Sequence, residues 1–267
     1  MSNLFQRITK KEITLSYCTN VKNRLWQLAI TLPENLKNLK SDEELILINY
    51  SSNDGLHKYI KSFPLAQEAI EDGRLIYANV MGRKFYCCSR AKNIAHLCAS
   101  GKYVMNLDGD NYLEGMRDIF DSQNLDNSYL DMSVDRVDGS VGRICLSKEL
   151  FLKVGGYDEG LEQQGHQDHD LRYRLQGIGI KEIKVPLFKD PIFNTMQEKS
   201  LYLKDKSFEN ADKINKIKSD KNLLERKFIS NRTKRWGVAK CTVNFKTQYH
   251  FENFIDYVKY QRVVKAL

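Results

Sequence analysis

Asp108 and Asp110 stand one residue apart, across Gly109, at the end of the apolar run "YVMNL" (103–107). In extended chain, residues i and i+2 point the same way. Two carboxylates so placed are hard oxygen ligands and can hold Mg²⁺ or Mn²⁺, the more so where a diphosphate adds further oxygens. Asp-Gly-Asp is also a common turn, and this stretch alone does not choose. A second acidic group follows in "VGGYDEGLEQQGHQDHDLRYRL" (154–175), with Asp158, Glu159, Glu162, Asp168, Asp170 and two histidines. Carboxylates just ahead of a helix can take protons from a reactant or simply cap the helix, whose dipole favours the anion.

The elements that must position these groups are legible over the first half of the chain. "EITLSYC" (12–18), "ELILINY" (44–50), "RLIYANV" (74–80) and "KYVMNL" (102–107) are predicted strands. Between them, "NRLWQLAITLPENL" (23–36), "HKYIKSFPLAQEAIEDG" (57–73, broken near Pro64) and "SRAKNIAHLCASG" (89–101) are predicted helices. This alternation predicts an α/β fold with a largely parallel sheet. Ligands of open α/β sheets bind beyond the carboxyl ends of strands, where Asp108 and Asp110 lie. The polar stretch 111–140 gives no clear pattern. "GRICLSKELFLKVGGYDE" (142–159) predicts a strand, a helix and a Gly-Gly turn, and "HDLRYRLQGIG" (169–179) a short helix. Beyond 199 the pattern is helical and basic, ending in an amphipathic helix over 249–267. His57 and His96 are expected to be structural, Trp26 to pack the first helix, and Trp236 to anchor the tail to the core.

Composition is that of a soluble globular chain, with 42% hydrophobic and 28% charged residues. The six cysteines form no CxxC pair or zinc-like spacing, which favours buried thiols in a reducing compartment. "MSNLFQRITKKE" lacks the apolar core of a signal peptide, and no run approaches the length of a membrane span. The net charge of +8 is concentrated: residues 199–240 hold 13 Lys/Arg against 5 Asp/Glu. A basic tail on a neutral body suggests an anionic partner, whether a membrane surface, nucleic acid or an acidic polymer; the alternative is a solvated helical face.

Taken together, "SRAKNIAHLCASGKYVMNLDGDNYL" (89–113) and "VGGYDEGLEQQGHQDHDLRYRL" resemble the GT-A nucleotide-sugar glycosyltransferases. The likeness is to the family 2 enzymes, including the chondroitin polymerase type, and to the β-1,4-galactosyltransferases. In that superfamily a strand ends in Asp-x-Asp, and a later "GGfdE…GxGgEDxDLxxRL" segment carries the acceptor-side acid. Gly155, Gly156, Tyr157, Asp158 and Glu159 match its first part; Gly165, Asp168, Asp170, Leu171, Arg174 and Leu175 match its second. "TNVKNRLWQL" (19–28) and "ILINYSSNDGL" (46–56) are similar to the family's first nucleotide-binding turns. The resemblance spans about residues 12–195 and implies a GT-A domain over 1–198, with a Rossmann-like mixed, mostly parallel sheet flanked by helices. A basic helical extension over 199–267 would follow.

The resemblance implies an inverting, metal-dependent enzyme. It would move a hexose or N-acetylhexosamine from a UDP-sugar to a glycan or lipid-linked saccharide. Asp168 would be the general base. Thr19, Arg24, Asn49, Asp54, Arg90, Asn93 and Asp108 would serve the nucleotide-sugar, and Gln167 and Asp170 the acceptor. Mn²⁺ or Mg²⁺ would sit on Asp108 and Asp110. The family's later histidine ligand is missing from "KVPLFKDPIFNTMQEKS" (184–200), where Asp190 is the nearest substitute and Asn194 the next. His250 could arrive only through the fold, and Lys189 could instead neutralise the diphosphate directly. Gln167 and His166 depart from the family's glutamate and glycine, so sugar specificity does not carry over. The expected setting is cytoplasmic, peripheral on the inner face of the membrane, in polysaccharide biosynthesis, with no nucleic acid partner. Two other classes compete: a sugar-nucleotide nucleotidyltransferase, which would want a Gly-rich loop that "SYCTNVKNR" (16–24) lacks, and a non-enzymatic module binding anionic surfaces.

Overall fold

The structure, a computed structural model, describes residues 12–132, 142–186, 189–232 and 235–264. The N-terminal stretch 1–11, most of the unpatterned end of 111–140 and the last residues of the 249–267 helix lie outside these.

In chain order, β1 (Leu15–Val21), α1 (Leu25–Asn38), β2 (Glu43–Tyr50), α2 (Leu56–Ser62), α3 (Pro64–Glu71), β3 (Leu75–Val80), α4 (Cys88–Cys98) and β4 (Tyr103–Asn106) form a repeating α/β wind. There follow α5 (Met116–Asp121), β5 (Ser128–Asp131), β6 (Ile144–Ser147), α6 (Lys148–Lys153), α7 (Gln167–Gly177) and β7 (Lys181–Lys184). The chain closes with α8 (Met196–Ser200), α9 (Phe208–Leu224), β8 (Ala239–Val243), β9 (Thr247–Phe251) and α10 (Phe254–Val264). The sheet order is β7-β5-β6-β4-β1-β2-β3-β8-β9. β1 to β4 are mutually parallel, and from the pairings only β6 and β8 run against the rest. The sheet is therefore mixed and mostly parallel.

The central strands are buried on both faces because helices cover both, which is why they read as near-continuous apolar runs. Along β2, Leu45 and Leu47 join one core, with Leu28 and Leu32 of α1 and Met105 of β4. Ile46 and Ile48 join the other, with Ile94 of α4, Phe151 of α6 and Leu171 of α7. The period-2 alternation of a strand thus feeds two cores from one element.

Two expectations change. A purely helical extension after 199 does not describe the chain: β8 pairs antiparallel with β3, and β9 with β8, so this region completes the main sheet. Residues 249–251 belong to β9, and the last helix starts at Phe254. Trp26 does not pack α1 inward but is 49% exposed, because Leu28, Leu32 and Leu36 occupy the buried stripe. Trp236 does pack against the core, with its ring 6.3 Å from that of Phe151.

His57 bonds the Tyr77 hydroxyl at 3.0 Å. His96 is buried in α4, stacked 4.6 Å from Phe151, with Nδ1 placed to donate to the Lys92 carbonyl at 2.8 Å. Burial pushes its pKa down to about 3, against the raising effect of that bond. An unfolded chain takes up this proton below about pH 6.5, whereas the folded one refuses it. His96 therefore supports the fold fully above that pH, and the support is lost as pH falls towards 3. The expected slope is roughly 1.4 kcal/mol per pH unit over that window. Urea midpoints between pH 7 and 4 should fall less steeply, by about one proton, in His96→Leu; an unchanged slope refutes the assignment.

Candidate active site

β1 and β4 are adjacent and parallel, so their carboxyl ends open side by side. A cleft of about 380 Å³ lies there. Its floor is the Asp108–Asn111 loop after β4, and the β1 end supplies Asn20, Val21, Lys22 and Arg24. The start of α7, with His166 to His169, forms one wall; Ile192, Asn194, Tyr202 and Phe208 close the other side.

α1 holds the acidic loop in place. Thr31 Oγ1 donates to the Gly109 carbonyl at 2.7 Å. Asn35 donates to the Asn111 carbonyl at 2.9 Å and accepts the Leu113 amide at 2.9 Å. Gly109 is required by close approach: a Cβ there would lie 2.8 Å from Val21 Cγ2. Asp108 lines the cleft and accepts from Asn106 at 3.1 Å. Asp110 accepts from the side-chain amides of Asn111 and Asn194. Arg24 and Gln27 each donate to Asn194 Oδ1 at 2.7 Å, which turns the amide nitrogen towards Asp110. Burial first, then the charge of Asp108, pushes the Asp110 pKa up to about 6.

Asp168 faces this loop from the first turn of α7. Lys92 Nζ of α4 donates to its Oδ1 at 2.7 Å, with the two side chains 3% and 14% exposed. Burial opposes the Lys92 charge, but Asp168 and then Asp108 hold the ammonium ionised, well above the ordinary lysine range. Gly142 passes directly beneath: at φ +122 it has no Cβ, and one would sit 2.7 Å from Asp168 Oδ2. The Gly142 carbonyl accepts from Asn106 Nδ2 at 3.0 Å, the same amide that donates to Asp108. The two acidic groups are thus linked through Asn106 and Gly142.

Of the residues singled out in the sequence, Arg24, Asp108, Asp110, Gln167 and Asp168 line the cleft. Asn194 and His166 line it too, whereas the rest lie outside it. Asn49 is buried, donating to Tyr77 Oη at 3.0 Å and accepting the Ser52 amide at 2.9 Å. Asp54 accepts the Leu25 amide at 2.7 Å and the Leu56 amide at 3.2 Å, capping the starts of α1 and α2. Thr19 is buried within β1. Asn93 bonds the Tyr157 backbone at 2.8 and 2.9 Å, and Arg90 pairs with Glu159 at 3.0 Å; both brace the turn after the Gly-Gly pair. Asp170 turns inward to Arg174 at 2.7 Å and Ser219 at 2.8 Å. Gln167, though at the cleft, accepts the Gly165 amide at 2.7 Å and closes its own turn.

Asp190 is exposed and does not line the cleft; the Ile192 amide donates to the Asp110 carbonyl at 2.9 Å, and that bond brings Asn194 to the acidic loop instead. Lys189 does not line the cleft: it pairs with Glu34 and Glu114 and lies 4.1 Å from the centre of the Tyr112 ring. His250 is exposed on β9. Sequence reasoning passed over Asn20, Tyr86 and Lys92. Tyr86 Oη donates to Asn20, and both line the cleft. Lys92 left one signal, a lysine four residues from Cys88 and four from His96 on the buried face of a helix.

Among the described residues, no group of three or more His, Cys, Asp or Glu side chains could hold a metal ion. The donor set fits a divalent ion of another kind. Mg²⁺ and Mn²⁺ bind through one or two carboxylates and complete their shell with water and substrate phosphate. Asp108 and Asp110, open to one cleft, supply that minimum.

The strand order, the reversed β6 and the acidic loop at the β4 end define a GT-A fold. No family model matches the chain, and no curated protein matches it. Solved structures do. The mannosyltransferase PcManGT from Pyrobaculum calidifontis, in complex with GDP-Man and Mn²⁺, superposes with a TM-score of 0.52 at 15% identity, over 66% of this chain and 55% of that one. S. aureus TarS gives 0.53 at 12% identity, over 69% and 37%. GalNAc-T7 with UDP, GalNAc and Mn²⁺ gives 0.52 at 15% identity, over 66% and 43%. This chain spans less than two thirds of each. At such identities the likeness is one of fold.

Proposed function

We propose that the chain is a glycosyltransferase that moves a hexose or N-acetylhexosamine from a UDP-sugar to a glycan or lipid-linked saccharide, with inversion. The observation that carries this reading is the meeting of Asp168 with Asp108 and Asp110 across one cleft at the strand ends. Asp108 and Asp110 would hold a divalent ion, which when bound would supply neutralisation of charge on the departing diphosphate. Arg24, Asn20 and Tyr86 face the nucleotide end. Asp168 accepts the proton of the acceptor hydroxyl as that oxygen bonds to the anomeric carbon; the bond from that carbon to the diphosphate oxygen breaks, and UDP leaves. Lys92 occupies Asp168 Oδ1, so Oδ2 takes the proton. Such an enzyme works in polysaccharide biosynthesis, on the inner face of the cytoplasmic membrane.

The test is UDP release by the pure protein with Mn²⁺ and a panel of UDP-sugars. Asp110→Ala should abolish Mn²⁺-dependent turnover, and full activity in excess EDTA refutes the metal. Because the Asp110 pKa stands at about 6, metal must displace a proton below that pH. Calorimetric Mn²⁺ affinity should rise with pH, by up to about tenfold per unit below 6, and level off above it. A flat profile from pH 5 to 7 would show that Mn²⁺ binding displaces no proton from Asp110 in that range.

A further inference from the structure

The outward face of α9 has no part in the cleft chemistry. This helix buries small and polar residues, Ala211, Asn215 and Ser219. Asn215 donates to the carbonyls of Glu162 at 2.8 Å and Gly165 at 2.9 Å, and Ser219 donates to Asp170. Its large aliphatic side chains point the other way: Ile214, Ile217 and Leu224 are 59%, 63% and 86% exposed. At 100° per residue, Lys213, Ile217, Lys221 and Leu224 share one stripe, with Ile214 at its flank. Surface helices ordinarily turn aliphatic residues inward and charge outward. Here isoleucine, leucine and lysine interleave on the side facing solvent. Of the nearby acids, Asp220 is paired with Lys216 at 2.7 Å, Glu225 is paired with Lys227, Asp212 lines the cleft, and Glu209 is exposed one turn before Lys213.

We propose that this face of α9 docks on an anionic lipid bilayer. Aliphatic side chains can enter the headgroup boundary while lysines beside them extend to the anionic headgroups. A second copy of the chain fits less well, since a two-fold contact would set the Lys213 and Lys221 row against itself. α9 also braces α7, and Phe208 and Asp212 from its first turns line the cleft. Docking therefore brings the cleft close to the bilayer, where the carbohydrate of a lipid-anchored acceptor would be presented. That last step rests on the glycosyl-transfer reading; the docking itself does not.

The experiment is flotation of the full chain with phosphatidylcholine vesicles, with and without phosphatidylglycerol, at low and high salt. Partition to the anionic vesicles is expected at low salt, little to the neutral ones, and a fall with salt. Lys213→Glu with Lys221→Glu should lower partition at least about 25-fold, about fivefold for each lysine removed. Ile214→Ser with Ile217→Ser and Leu224→Ser should lower it about tenfold or more. The substituted side chains are exposed, so melting temperatures should hold and report that each variant is folded. Absence of partition by the unaltered protein at low salt overturns the proposal. So does partition unchanged in both variants, or a dimer in light scattering that Ile217→Ser dissolves. Vesicle binding needs no donor, so a protein that docks without transferring sugar refutes only the reading of the cleft.

Discussion

On the proposed glycosyl-transfer reading, Asp168→Asn is expected to lower sugar transfer by about 10²–10⁴-fold, the range that general-base catalysis typically supplies, and to leave UDP-sugar binding nearly unchanged. The substitution keeps the shape of the side chain, and the amide oxygen can still accept from Lys92 Nζ, 2.7 Å away in the native protein. What it removes is the second carboxylate oxygen, Oδ2, above Gly142. Rates are read per folded molecule, because the ammonium of Lys92 loses its nearest counter-charge. Asp170→Asn is the contrast: its carboxylate faces Arg174 and Ser219 and not the cleft, so transfer per folded molecule stays near normal. Single-turnover transfer alongside calorimetric donor binding checks both. Near-normal transfer by Asp168→Asn removes it as the base.

Asp170→Ala destabilises the protein by about 3–5 kcal/mol, as expected when one member of a buried ion pair is deleted. Asp170 and Arg174 are 0% and 1% exposed. Arg174 also donates to the carbonyls of Val154 at 3.0 Å and Gly156 at 2.8 Å, so the orphaned guanidinium would sit inside the core with its carbonyls alone. Urea denaturation measures the loss. A change below about 1 kcal/mol would place the pair among those of little net worth. The two acids of "DHD" thus divide by helix face: Asp168 serves the cleft, and Asp170 locks α7 to the Gly-Gly turn and to α9.

The α/β alternation was legible because β1 to β4 are apolar runs separated by helices of ordinary periodicity. The stretch 111–140 was not, since α5 and β5 are short and the segment is polar. β8 escaped for a related reason: Ala239, Cys241 and Val243 face inward, but Lys240 and Thr242 between them blur the alternation inside a basic region. In the site, the spacing of Asp108 and Asp110 drew attention without choosing between ligand and turn, and Asp168 stood out only through the family likeness. Their neighbours Lys92, Asn20 and Asn194 come from separate segments and meet only through tertiary contact. Asn49 and Asp54 were assigned by family likeness, yet both side chains accept backbone amides of their own turn, those of Ser52 and Leu56, and Asp54 also accepts the Leu25 amide at the start of α1.

The place of β8 in the sheet bears on how the chain is made. β3 is translated before residue 81, but its neighbour on that side arrives only with residues 239–243. Throughout the synthesis of the intervening stretch, the nascent chain carries β3 with one row of amides and carbonyls unpaired, an invitation to foreign strands. Pairing across so long an interval is also slow, because the loop must close before the ladder rewards it. Holding that edge until the hairpin emerges is a task for a chaperone or for the ribosome surface, and a ribosome stalled short of the hairpin leaves an aggregation-prone product.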